Sequence, residues 1–434
     1  MHLTQLLSSL LLLVQARAVP VGTSTDEKML AAPVRIPIRR SGESSDTPHR
    51  FQDGPNWAER RPSWKRSLPP RQNAAVGTGP VGTQDIINRR NTMYTVPIDI
   101  GTPPQSFEVQ LDTGSNGLWV HTSACQNECP RVRGFDRGAS ASYNTTGARF
   151  RASYVATHID GEVGTDTITL GGYTVPGQEF GVALDVKGTG FKGSDIVGIL
   201  GMGWPIKSDN KFPSTTPWWV HALEGKGGAR WPKPMFGIAL RVAQAGKNQQ
   251  AVYGGELTLG GVDSEAIMGG ESALRWLPVS NPNAWEVFMD DLVVGGASIL
   301  KVDNGRTIPA RASLDTGTAG LMGPFAAVKA LYARIPGSFI DEKVSHPGQL
   351  EYYRYPCDSM PEVDLTFGGT RYALRPEDMW QYRNKHNQSS TEETCLGNIF
   401  GWAREKWIIG DAAFHTMYVA FQHDPPAIGF GKLV

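Results

Sequence analysis

The chain has 434 residues, of which 40% are hydrophobic and 19% charged, and its 42 basic side chains balance 42 acidic ones. That length suggests two domains or two lobes, and the composition excludes wholesale disorder. Zero net charge argues against a protein built to hold polyphosphate backbones, and nothing in the balance names a substrate.

Leu6 to Val14 form a short apolar run followed by Ala16-Arg17-Ala18, the pattern of a secretory signal peptide with its small-residue cleavage site. No other stretch reaches the roughly 18 apolar residues that a membrane-spanning helix requires. From Val19 to about Arg90, Pro, Ser and Arg are frequent and hydrophobic periodicity is poor. Residues 1–66 hold ten Lys/Arg against six Asp/Glu, so a basic leader precedes a mildly acidic body. That suits a propeptide held partly by charge. The dibasic pairs Arg39-Arg40, Arg60-Arg61, Lys65-Arg66 and Arg89-Arg90 are candidate processing sites, and Lys65-Arg66 is favoured because Arg89-Arg90 abuts a strand.

Strands dominate from Tyr94 onward. Tyr94–Val120 reads as strand, Gly-Thr-Pro-Pro turn, second strand from Phe107 to Leu111, and an abrupt polar turn. Asp166–Gly172 and Gly255–Asp263 are further strand-plus-turn units, and Gly 50 with Pro 30 supplies many turns. Helical text is scarce, with Pro324 to Ile335 the clearest piece and Pro324 in its first turn. The expected fold is therefore mostly β. Cys125, Cys129, Cys357 and Cys395 suit an oxidising compartment, and the sequential pairing closes each loop within one half of the chain. Their spacing does not suit zinc, and no metal or other cofactor is expected. Asn144-Thr145-Thr146 and Asn387-Gln388-Ser389 are glycosylation sequons.

An internal duplication carries the chemistry. Val109–Val120, VQLDTGSNGLWV, recurs as Ala312–Gly323, ASLDTGTAGLMG. Each copy is followed at similar range by an apolar-apolar-Gly unit, Ile199-Leu200-Gly201 and Ile408-Ile409-Gly410. A lone Asp-Thr-Gly is a common turn, whereas two in this matched setting nominate Asp112 and Asp315 as a carboxylate pair. Brought face to face, such a pair cannot ionise twice cheaply and shares one proton, the aspartic-protease case that serves as a standard example of pKa tuning. Gly114 and Gly317 let backbone amides approach the carboxylates, and Ser115 and Thr318 can donate hydroxyl hydrogen bonds to them. Thr113 and Thr316 are expected to brace the two loops against each other.

On these motifs the chain resembles the pepsin-like aspartic peptidases from about Tyr94 to its C-terminus. Tyr154–Gly172 looks like that family's flap hairpin, with Tyr154 at the flap tyrosine and Trp119 where the family has the indole that bonds it. Trp407–Asp411 resembles the closing strand of the second lobe, and both proposed disulfides sit at family positions. The resemblance implies two β-rich lobes with the active cleft between them. The expected division is signal peptide 1–18, propeptide 19–66 with an end as late as about 90, N-terminal lobe 67–265 and C-terminal lobe 266–434. It further implies a secreted, monomeric endopeptidase, made as a zymogen, that takes a protein or peptide in extended conformation. Val155 and Ala156 after the flap tyrosine, and Ala319 after the second loop, depart from the family pattern and remove hydroxyl contacts to substrate. A dead-site binding protein on this fold would lack an Asp or the flap tyrosine. A two-carboxylate glycosidase would not explain matched Asp-Thr-Gly loops.

Overall fold

The computed structural model of the chain describes residues 81–89, 93–154, 157–188, 191, 195–205, 216–242, 252–300, 302–303, 306–359, 362–385 and 393–434. The expected signal peptide, the favoured processing site, Asn387, Val155 and Ala156 lie outside them.

Strands dominate, and the largest sheet has 13 of them among the described residues. It runs from Arg275–Pro278 through Ala427–Lys432, Met417–Gln422, Met235–Leu240, Val252–Leu259, Gly82–Asn88, Tyr94–Ile100 and Gln105–Asp112 to the flap strands. The last strands of the chain thus pair with strands of the first half, Val419 against Ile238 and Phe421 against Phe236. A second sheet of six strands orders Glu286–Met289, Ala310–Leu314, Trp407–Ile409, Leu321–Pro324, Ile399–Trp402 and Leu350–Glu351.

The duplicated sequence becomes duplicated topology. Gln105–Asp112 lies parallel to Gly198–Gly201, with Asp112 opposite Gly201, and Gly198–Gly201 pairs antiparallel with Leu118–Val120. Ala310–Leu314 lies parallel to Trp407–Ile409, with Ser313 opposite Ile408, and that strand pairs antiparallel with Leu321–Met322. Each apolar-apolar-Gly unit is therefore the spacer that holds apart the two strands flanking an Asp loop. Val109, Leu111 and Ala312 are fully buried and Leu314 almost so, and the valine and each leucine contribute about 1.5–3 kcal/mol of hydrophobic stabilisation. They anchor both loop-bearing strands in one continuous core.

An aromatic cluster supports the first loop from behind. Trp219 and Trp285 pack among Phe236 and Phe421 in tilted and edge-on contacts. Their indole nitrogens donate to Gly203 O at 3.0 Å and Met202 O at 2.9 Å. The amides of Met202 and Gly203 in turn donate to Asp112 O and Ser115 O, both at 2.7 Å.

The sheet starts earlier than sequence periodicity suggests. Gly82–Asn88 pairs along its length with Val252–Leu259, although its Gly-Thr-Gln-Asp opening gives little alternation. The expected helix spans Phe325–Tyr332, with Pro324 just before it ending a strand. Two further helices among the described residues, Trp218–Glu224 and Asp411–Phe414, are too short to show a clear apolar period. Among the described residues no helix is long and apolar enough to cross a membrane.

Candidate active site

Both Asp-Thr-Gly loops leave the end of a buried strand and meet at one point. Asp112 is 0% and Asp315 2% exposed. Gly114 N and Ser115 N donate to Asp112 Oδ1 at 2.8 and 3.2 Å, and Ser115 Oγ donates to Oδ2 at 2.5 Å. The second loop repeats this: Gly317 N donates to Asp315 Oδ1 and Thr318 Oγ1 to Oδ2, both at 2.8 Å. Glycine is required by the approach of the opposite carboxyl. A Cβ on Gly114 would collide with the Asp315 carboxyl, and one on Gly317 with that of Asp112.

The threonines lock the loops together. Thr113 Oγ1 donates to Leu314 O at 2.9 Å and accepts from Thr316 N at 3.1 Å. Thr316 Oγ1 donates to Leu111 O at 2.8 Å and accepts from Thr113 N at 3.1 Å. Gln110 Nε2 adds a bond across the same seam, to Gly317 O at 3.2 Å. Four buried backbone groups are thereby satisfied by two hydroxyls, which fixes the spacing of the carboxyls.

Electrostatics follow from this burial. Desolvation raises both carboxyls above the usual range, and the Asp112 charge pushes Asp315 up further. The donors from Ser115, Gly114, Thr318 and Gly317 oppose the rise because they favour the ionised form. The two carboxyls are within hydrogen-bonding reach of each other, so their titrations are linked.

The hairpin Asn144–Tyr154 and Thr157–Leu170 ends with Tyr154 paired to Thr157. Trp119 Nε1 donates to Tyr154 Oη at 2.7 Å, and Phe191 packs edge-on against the indole at 5.0 Å. Burial and the Asp112 charge both raise the Tyr154 hydroxyl, which therefore stays protonated and lies within the electrostatic range of the carboxyl pair. Met322 occupies the place of Trp119 in the second copy, and packs in an apolar cluster with Ile408, Phe400 and Tyr352.

The arrangement thus gathers Asp112, Asp315, Gly114, Gly317, Ser115, Thr318, Tyr154 and Trp119. Cys125 is bonded to Cys129 and Cys357 to Cys395. Asn144 is exposed at the start of the hairpin. Among the described residues no group of three or more His, Cys, Asp or Glu is placed to hold a metal ion. Sequence reading passed over Gln110, and also Glu286 and Arg311 beside the second loop. For Arg311 the alternation Arg311, Ser313, Asp315 along one strand was the available signal.

Comparison with known proteins agrees with the geometry. The family described as eukaryotic aspartyl protease matches residues 93–433. The chain is 32% identical over 378 residues to cathepsin D of Bos taurus, covering 82% of this chain and 89% of that protein. It is 30% identical over 338 residues to gastricsin of Homo sapiens, with 78% and 80% covered. To major aspartyl peptidase 1 of Cryptococcus neoformans var. grubii it is 29% identical over 373 residues, with 84% and 73% covered. Paired buried carboxyls on duplicated loops, beneath a tyrosine-bearing hairpin, accompany a family match over nearly all of the described chain: the protein belongs to the eukaryotic aspartyl protease family and is a pepsin-like aspartic endopeptidase.

Proposed function

We propose that the protein is a secreted endopeptidase, made as a zymogen, in which a water activated between Asp112 and Asp315 hydrolyses peptide bonds. The observation that carries this reading is the pair of buried carboxyls within hydrogen-bonding reach, each held by donors from its own loop. The ionised member takes a proton from water as the oxygen attacks the peptide carbon. The protonated member donates a hydrogen bond to the carbonyl oxygen as it becomes a tetrahedral alkoxide. Collapse of that intermediate expels the amine, which receives a proton, and no covalent acyl-enzyme forms. Tyr154 covers the bound peptide from the hairpin and excludes water. Mass spectrometry of peptides released from a denatured protein tests the reading: internal cleavage in acid that fades at neutral pH is expected. Absence of peptide release at any pH would overturn it.

Thr318→Ala tests the role of the loop donors. Its hydroxyl favours the ionised carboxylate, so its loss raises the upper apparent pKa of the pair. The upper limb of the pH profile of kcat/KM should move to higher pH. An unshifted limb would remove the role given to Thr318 and leave the carboxyl pair untouched.

Secretion is supported by the apolar run Leu6–Val14, the sequons and the two disulfides, and zymogen synthesis by the basic leader. Acid protonates carboxylates on the body and so weakens their attraction for the leader. Of the dibasic pairs, Lys65-Arg66 remains favoured. Cutting at Arg89-Arg90 would sever Gly82–Asn88 from the chain that follows, leaving that strand and the Arg89 pair with Glu108, at 2.6 and 2.7 Å, held by non-covalent contacts alone. N-terminal sequencing of the mature enzyme should find a start between Ser67 and Val81. A fully active protein beginning near Val19 would contradict the zymogen reading, and a start at Asn91 would overturn the choice of Lys65-Arg66.

A further inference from the structure

The strand that delivers Asp315 carries other polar groups on the same face. Ala312 and Leu314 point into the core, so Arg311, Ser313 and Asp315 share the opposite face. The neighbouring antiparallel strand places Glu286 opposite Ser313 and Phe288 opposite Arg311, and directly opposed residues lie on one face. Val287 and Met289 are fully buried, which leaves Glu286 and Phe288 on the outer row.

Glu286 is 0% exposed yet charged partners surround it. Arg311 donates to its carboxylate through Nε at 2.7 Å and Nη2 at 3.2 Å. Ser280 Oγ and Ser313 Oγ lie at 3.2 and 3.4 Å, and Lys406 Nζ at 3.7 Å. Two cations thus face one carboxylate. Held by that buried anchor, the Arg311 side chain remains 41% exposed, and Phe288 beside it is 51% exposed. A fixed guanidinium flanked by an open phenyl ring suits a carboxylate carried on a short methylene stem.

Distance sets which substrate residue arrives there. Same-face positions on a strand are about 7 Å apart, so Arg311 stands about 13 Å along the row from Asp315. An extended peptide laid along this row would advance about 3.3 Å per residue, which would bring its third to fifth residue from the scissile bond to this point.

We propose that Arg311 and Phe288 form a distal subsite that selects an acidic side chain three to five residues from the scissile bond, on one flank of the substrate. The carboxylate pairs with the Arg311 guanidinium and the methylenes lie on the Phe288 ring. The subsite rests on Asp112 and Asp315 being the reaction centre.

Peptides carrying Glu or Gln at each of the third to fifth positions on either side would be competed in one mixture, at low salt and a pH of about 5.5, where glutamate is ionised. The ratio of kcat/KM for Glu over Gln should reach about threefold to fivefold on one flank, as expected of a partly exposed ion pair, and fall in high salt. Arg311→Gln should bring the ratio to about one. Phe288→Ser should lower both members of the pair and keep their ratio. Should Arg311→Gln not fold, the double variant Glu286→Gln/Arg311→Gln removes the buried carboxylate with its partner and should show the same loss. A ratio near one at every position in the wild type, or a ratio unchanged by loss of Arg311, overturns the subsite. If Asp112→Asn cleaves the same peptides as well as the wild type, the reaction centre itself is misassigned and the subsite falls with it.

Discussion

Asp112→Asn and Asp315→Asn are each expected to lower kcat/KM on any peptide by about a thousandfold or more, and the double variant should be little worse than either. On the proposed mechanism the two carboxyls share one proton and act as a unit, so removing one would abolish either the base or the acid that the other requires. The fold should survive, because Asn keeps the shape and one oxygen able to accept from Gly114 or Gly317. Asp315→Asn should even be more stable than the wild type at neutral pH. Burial and the Asp112 charge raise the Asp315 carboxyl above its unfolded value. Below the unfolded pKa both states hold the proton and folding pays nothing for it. As pH rises toward the raised folded value, the unfolded chain releases its proton more readily and stability is lost. Thermal unfolding at acid and neutral pH would show this as a gap between variant and wild type that widens with pH. Turnover of either single variant near the wild-type rate would remove the pair from the reaction.

The next largest effect belongs to the threonines. Thr113→Val leaves Leu314 O without its donor and Thr316 N without its acceptor in a buried seam, and Thr316→Val does the same to Leu111 O and Thr113 N. An unsatisfied buried group costs about 1–3 kcal/mol, so the loss of two should destabilise each valine variant by about 2–6 kcal/mol. Serine keeps the hydroxyl, and Thr113→Ser should lose much less. Activity should fall with the valines as well, since the spacing of the carboxyls is set by these bonds. Denaturant midpoints for the Val and Ser variants make the comparison. Equal midpoints would show that the hydroxyls do not brace the loops.

Much of this site was legible because its parts are local and repeated. An Asp followed by Thr-Gly and a hydroxyl residue contains, within four positions, the carboxylate, its amide donors and its side-chain donor. The repeat implied that the two loops meet, and the apolar-apolar-Gly units marked the strands that space them. Tyr154 and Trp119 were legible by resemblance, and their contact needs only the hairpin to fold back. What escaped depends on register between distant segments. Glu286 meets Arg311 because two strands align Glu286 with Ser313, and no local pattern states that alignment. The strand Gly82–Asn88 escaped because it is held by Val252–Leu259 rather than by its own alternation. The joining of Met417–Gln422 to Met235–Leu240 is likewise a long-range pairing between two strands that each read as ordinary core.

The pH dependence of kcat/KM on one internally cleaved peptide, with Asp315→Asn as the blank, tests the shared proton most directly. Wild-type activity should be highest in acid and fall as the pair loses its proton, because two ionised carboxylates leave no acid to polarise the carbonyl. Activity that instead rises into the alkaline range, or a blank that follows the same profile, would contradict hydrolysis by a water activated between Asp112 and Asp315.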